Sequence, residues 1–173
     1  KLVQQPSRNR QGCARFVAYH LCDDDEVICM LDGDDWLYDE NSLLYIANEY
    51  KKGSMITYGC YKRYNNKNLE TFVYCKNDYF PLEIIKNRNF RRYRWITQHI
   101  RTAYAGLFKR IRYLDLVDKN NRFFTVCTDL CEMFPVLEMA SNRISLINNT
   151  TYVYNKDASN QHNTSYFRQN EFP

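Results

Sequence analysis

Five apolar residues, Val27-Ile28-Cys29-Met30-Leu31, run directly into the acidic turn Asp32-Gly33-Asp34-Asp35, followed by Trp36-Leu37. An unbroken apolar run of this kind reads as a strand buried on both faces, the pattern of an inner strand in a parallel sheet. The carboxylates then stand just past the strand's carboxyl end, the edge where open α/β sheets bind ligands. Gly33 permits a sharp turn, so Asp32 and Asp34 can face one space. Like charges that close repel. A hard divalent cation such as Mg²⁺ or Mn²⁺ relieves the repulsion, with carboxylate and phosphate oxygens as ligands. The plainer reading is a solvated acidic turn in which Asp35 or Asp39 caps the next helix, and the triplet alone does not separate the two.

The 173 residues fit one domain with a real core. A net charge of +4 permits an anionic ligand but does not by itself point to nucleic acid. No apolar run nears the length of a membrane span, and no secretory signal pattern is present. The seven cysteines, Cys13, Cys22, Cys29, Cys60, Cys75, Cys127 and Cys131, form no Cys-x-x-Cys pair, and several lie in apolar runs. They read as reduced small hydrophobes in a cytosol-like compartment, which predicts a cytoplasmic protein. Cys127 and Cys131 are one helical turn apart but lack the further Cys or His pair of a zinc site. Asn-x-Thr/Ser triplets at Asn148, Asn149 and Asn163 would matter only in a secretory compartment.

Taken in order, Gly12 to Cys22 predicts a helix. The run Asp23-Asp24-Asp25-Glu26 reads as a solvated turn rather than a metal site. Asp39 or Asn41 caps a helix to about Lys52, stopped by Gly53, with Leu43, Leu44, Ala47 and Tyr50 on its buried face. Met55–Tyr61 and Thr71–Cys75 form a hairpin about Asn65–Asn68. A short strand spans Phe123–Val126. A helix follows from Asp129 to about Ala140, capped by Thr128, with Pro135 giving a kink or a later start. Arg143–Ile147 and Thr151–Tyr154 are strands, and the tail from residue 156 is polar.

Lys86 to Trp95 interleaves Lys86, Arg88, Arg91, Arg92 and Arg94 with Phe90, Tyr93 and Trp95. Such a segment can place arginines on phosphates and rings under bases, or grip a sugar or pyrophosphate. Equally, its arginines can pair with nearby acids on an ordinary surface.

Several segments together resemble one family. They are Asn9-Arg10-Gln11-Gly12-Cys13-Ala14-Arg15, Leu31-Asp32-Gly33-Asp34-Asp35-Trp36-Leu37, and His99-Ile100-Arg101-Thr102 with Leu107-Phe108. Thr128-Asp129 leading to Phe134-Pro135-Val136-Leu137-Glu138-Met139-Ala140, and Tyr152-Val153-Tyr154-Asn155, complete the set. In order and spacing they resemble family 2 glycosyltransferases of the GT-A fold, over roughly residues 9 to 155. The resemblance implies an α/β, Rossmann-like mixed central sheet flanked by helices, with residues 1–155 as catalytic domain and 156–173 as tail. The family's first strand and helix, which hold the nucleotide base, have no counterpart here. Phe16 stands where the family often has Asn, and the Gln-x-x-Arg-Trp signature of processive polysaccharide synthases is missing.

The resemblance also implies roles. The donor would be a nucleotide-diphospho-sugar, UDP-linked as in the commonest users of this motif, and the acceptor a hydroxyl of a glycan or protein. Asp34 would bind Mn²⁺ or Mg²⁺ directly, Asp32 would face the ribose or the metal, and Asp35 and Trp36 would lie beside the donor. Asp129 would be the general base for the acceptor hydroxyl, with Glu138 as second candidate or buried anchor. Arg101 and the arginines of 88–94 would face the departing diphosphate, and His99 would orient backbone or acceptor. His162 is a candidate third metal ligand from the C-terminal part, against the plain reading of an exposed histidine. The competing functional class is a binding module, either a remnant of the same fold or a basic-aromatic RNA-binding domain, although nucleic acid is not the expected partner.

Overall fold

The computed structural model describes residues 18, 20–75, 79–124 and 128–157. Six strands form one mixed sheet: β1 (Val27–Met30), β2 (Trp36–Leu37), β3 (Ile56–Asn65), β4 (Asn68–Tyr74), β5 (Arg101–Tyr104) and β6 (Ile144–Asn155). Their order is β1-β5-β3-β6-β2, with β4 also paired to β3. Only β3 and β6 run parallel; the other pairs are antiparallel. Among the described residues, helices α1 (Ser42–Lys51), α2 (Leu82–Lys86), α3 (Ala105–Lys109) and α4 (Thr128–Ala140) accompany the sheet. The chain is thus a mixed α/β protein built on a central mixed sheet with helices packed against it.

Alternation along the strands splits the core in two. Ile56, Tyr58 and Cys60 of β3 join Leu146 of β6 and Met133, Val136 and Leu137 of α4 in the larger cluster. Ile147 and Tyr152 of β6 pack with Ile46 of α1 in the smaller one. The predicted hairpin forms, with Asn66 and Lys67 at φ 51° and 61°, a two-residue turn that matches strand twist. Both turn amides donate to the Asp157 carboxylate. The N-cap of α1 is Asn41, which makes no side-chain capping bond; Asp39 instead holds the preceding turn by accepting from the Asn41 amide and the Ser42 hydroxyl, and Gly53 follows the helix at φ 103°.

Several expectations are corrected. β1 is not an inner strand of a parallel sheet. Among the described residues it pairs with β5 alone, antiparallel, leaving Val27 36% and the following Leu31 47% exposed. Its burial alternates, with Ile28 and Met30 packed against the larger core and Val27 and Cys29 exposed on the other face. In α1, Leu43 and Leu44 are each 51% exposed, while Ser42 and Ile46 are buried. The inward side is turned by one residue, with the Ser42 hydroxyl bonded to Asp39 in the turn before the helix and the Tyr50 hydroxyl reaching Thr102 Oγ1 at 2.8 Å. The two C-terminal strands merge into the single long β6, which absorbs the mismatch by bulging between Leu146 and Tyr152 against Tyr58–Tyr61 of β3. α4 continues through the buried Pro135. Phe123 forms only an isolated bridge to Val117; residues 125–127 and most of the predicted first helix lie outside the described residues.

Not all cysteines are reduced. Cys60 and Cys75 are joined, because the register that pairs Tyr61 with Tyr74 sets them opposite each other with Cα atoms 4.4 Å apart. Cys22 and Cys29 are free thiols. No described helix is long and apolar enough to cross a membrane.

Gly59 marks a close crossing of two backbones. A Cβ there would stand 2.9 Å from Thr151 Oγ1 and 3.3 Å from the His99 carbonyl oxygen. The missing side chain lets the Gln98–His99 segment cross close over β3, where the Gly59 amide donates to the Gln98 carbonyl at 3.3 Å. Gly59→Ala should therefore destabilise the fold by about 1–3 kcal/mol. Chemical denaturation would check this; an unchanged midpoint would show that the segment yields freely.

Candidate functional site

The strands place the acidic turn over one end of the sheet. β1 and β2 are opposite sheet edges, so residues 31–35 must cross that end. The β1–β5 register sets Arg101 opposite Met30, two residues before Asp32. The β2–β6 register brings Tyr152 and Asn155 beneath the turn's far side. α4 begins at the same end, and Asp129 in its first turn meets Arg101, with Nη1 to Oδ2 at 3.1 Å.

The turn is clamped from below. The Tyr152 hydroxyl donates to Asp35 Oδ2 at 2.5 Å and accepts from the Asp32 amide at 3.4 Å. The Asn155 amide donates to Asp35 Oδ1 at 2.7 Å. Both oxygens of Asp35 are thereby engaged, so this residue holds the turn in place. Asp32 and Asp34 are left at the surface. Asp32 is open on one side but backed by protein. Desolvation raises its carboxyl above the ordinary range, opposed by Arg101 and reinforced by Asp129 and Asp34. These charges therefore share one site, although they come from three separate parts of the chain. Asp35 is likewise raised by burial, against the pull of the Asn155 amide and the Tyr152 hydroxyl.

Beside Asp129 opens a cavity of about 300 Å³, lined by Arg63, His99 and Arg101 with Tyr61, Trp95 and Tyr154 as walls. The His99 ring stacks on Tyr152, with centroids 4.6 Å apart. Burial, aided by Arg101, lowers the His99 pKa well below its usual value, so the imidazole is neutral. Neutrality suits an orienting role. Trp36 lies beside the turn, edge-on to Tyr64 with centroids 5.3 Å apart.

Glu138 is elsewhere. It lies about two and a half helical turns beyond Asp129, where Arg91 Nε donates to it at 2.7 Å. It joins α4 to the 3-10 turn Phe90–Arg92, and the site is not within its reach. His162 lies outside the described residues. The basic-aromatic segment is largely committed to structure: Arg91 pairs with Glu138 and Asp115, Phe90 is fully buried, and Trp95 packs edge-on against Phe134. Rings spent on packing are poor platforms for stacking bases.

Among the described residues, no three His, Cys, Asp or Glu side chains stand together as a complete metal cage. Asp32 and Asp34 offer carboxylate oxygens, the ligand type that a hard cation such as Mg²⁺ takes alongside water. No family model matches the chain, and no curated protein matches it.

Sequence reasoning passed over Glu132, one turn after Asp129 on α4 and buried. Its i, i+3 spacing from Asp129 was the available signal. Burial pushes its carboxyl up to about 8, against the pull of Arg101 and with the help of Asp129. The folded protein therefore keeps this proton up to about pH 8, while the unfolded chain releases it near the ordinary 4.5. Between those values the folded state binds more protons, so stability falls as pH rises through the window. Glu132→Gln stays neutral throughout. Its melting temperature should match the parent's at pH 4 and exceed it by several degrees at pH 8.5. A constant difference across that range would show that Glu132 titrates normally.

Proposed function

We propose that this chain is a metal-dependent, inverting glycosyltransferase of the GT-A type, resembling family 2. It moves a sugar from a nucleotide-diphosphate donor, UDP-linked, to a hydroxyl of a glycan or protein. One observation carries the reading: the surface carboxylates of the 32–34 turn and the Asp129–Arg101 pair meet at the same sheet end beside a cavity.

Asp34 is the first ligand for Mn²⁺ or Mg²⁺, with Asp32 facing the ribose or the cation's outer shell and His162 as the further candidate. The bound cation supplies Lewis-acid stabilisation of the diphosphate's growing charge. Asp35 and Tyr152 fix the turn. Asp129 accepts the proton of the acceptor hydroxyl as its oxygen bonds to the anomeric carbon and the sugar–phosphate bond breaks. Arg101 aims that carboxylate. Attack opposite the leaving group inverts the anomeric configuration.

A thermal-shift panel of nucleotide-sugars with and without Mn²⁺ tests this reading. The expected result is a rise in melting temperature with one donor class, present only with the metal. Stabilisation by RNA instead, sensitive to salt and retained in Asp34→Ala, would favour the binding module.

A further inference from the structure

Arg101 is 5% exposed, and its Nε is buried with no hydrogen-bond partner among the described residues, although its Nη1 holds Asp129. Arg63 Nε and His99 Nδ1 are in the same condition. All three residues line the one cavity beside Asp129. Buried polar groups are normally paired, and an orphaned donor on a charged group is especially unfavourable. Three together mark a place where something other than the described residues supplies the partners. Of the charged residues that line the cavity two carry guanidinium groups and one, Asp129, a carboxylate, while Asp32 of the acidic turn also acts on Arg101 from beside the cavity. Its aromatic walls suit the apolar face of a sugar ring.

We propose that this cavity binds an acceptor sugar carrying an anionic group, a carboxylate or a phosphate, read by Arg63 and Arg101 with the ring set against Tyr61 and Tyr154. Arg63 is held for this by stacking over Tyr74, its guanidinium carbon 3.7 Å from the ring centroid. Calling the sugar the acceptor rests on the transferase reading: Asp129 lines the cavity, whereas the 32–34 turn assigned to the donor does not.

Calorimetric titration of the full chain, without metal or nucleotide, provides the test. The probes are glucose, glucose 6-phosphate, glucuronate, inorganic phosphate and UDP. Both acidic sugars should bind about tenfold or more tighter than glucose or inorganic phosphate. Arg63→Gln and Arg101→Lys should each lose about tenfold of that affinity, with circular dichroism confirming that they fold, and Asp34→Ala should retain it. Equal binding of glucose and its acidic forms, or affinity indifferent to both arginine substitutions, overturns the proposal and leaves water as the cavity's occupant. Binding of inorganic phosphate as tight as that of glucose 6-phosphate overturns the sugar assignment. Displacement of glucuronate by UDP overturns the acceptor assignment and makes the donor's diphosphate the anion. None of these readouts is turnover, so failure of the transferase reading leaves the affinities standing, and the reverse.

Discussion

Asp34→Ala is expected to reduce Mn²⁺-dependent turnover of the nucleotide-sugar by about 10²–10³-fold or more, the range seen when a group stabilising transition-state charge is removed. The fold should survive. Asp34 is exposed and makes no hydrogen bond or ion pair among the described residues, and nothing lies within 4 Å of where a Cβ on Gly33 would stand. A surface change of this kind usually shifts stability by no more than about 0.5 kcal/mol. The contrast with Asp35 is the useful control. Asp35→Ala removes two hydrogen bonds beneath the turn, so it should lower the melting temperature as well as the activity. If Asp34→Ala unfolds the protein or leaves turnover intact, the division between binding and clamping aspartates is wrong.

Asp129→Asn is the second large effect. The amide oxygen can still accept from Arg101 Nη1, so the contact now measured at 3.1 Å has a replacement, but the group can no longer take a proton. A general base contributes typically about 10²–10⁴-fold, and kcat should fall by that factor while donor affinity holds. Some stability is lost too, since the buried Arg101 loses its ionic partner; Asp129 is partly solvated, which limits the loss. Steady-state kinetics with donor varied at saturating acceptor separates the cases. A rise in KM for the donor with kcat unchanged would make Asp129 a binding residue.

Much of this site was legible in local sequence. Asp32, Gly33 and Asp34 announce a turn with two freely placed carboxylates, and Thr128-Asp129 announces a helix start. Placing them in one site needed the strand registers, which hydrophobic pattern alone does not supply. Register also decided Cys60–Cys75, a pair that spacing cannot reveal. The apolar run of β1 misled because periodicity reports which residues suit burial, not whether a neighbour covers them. Glu138 misled similarly: its apolar neighbours on α4 hid the arginine that claims it. Glu132 and Arg63 were missed because their significance lies in what surrounds them, a buried carboxyl near Arg101 and an orphaned Nε in a shared cavity.

The most direct measurement is nucleoside-diphosphate release from a panel of nucleotide-sugars, with Mn²⁺ and then with chelator, on this chain and on any longer natural form. A metal-dependent transferase releases the diphosphate from one donor class and stops when the metal is removed. Release from none of the donors in either form, with the protein folded, would contradict the transferase assignment.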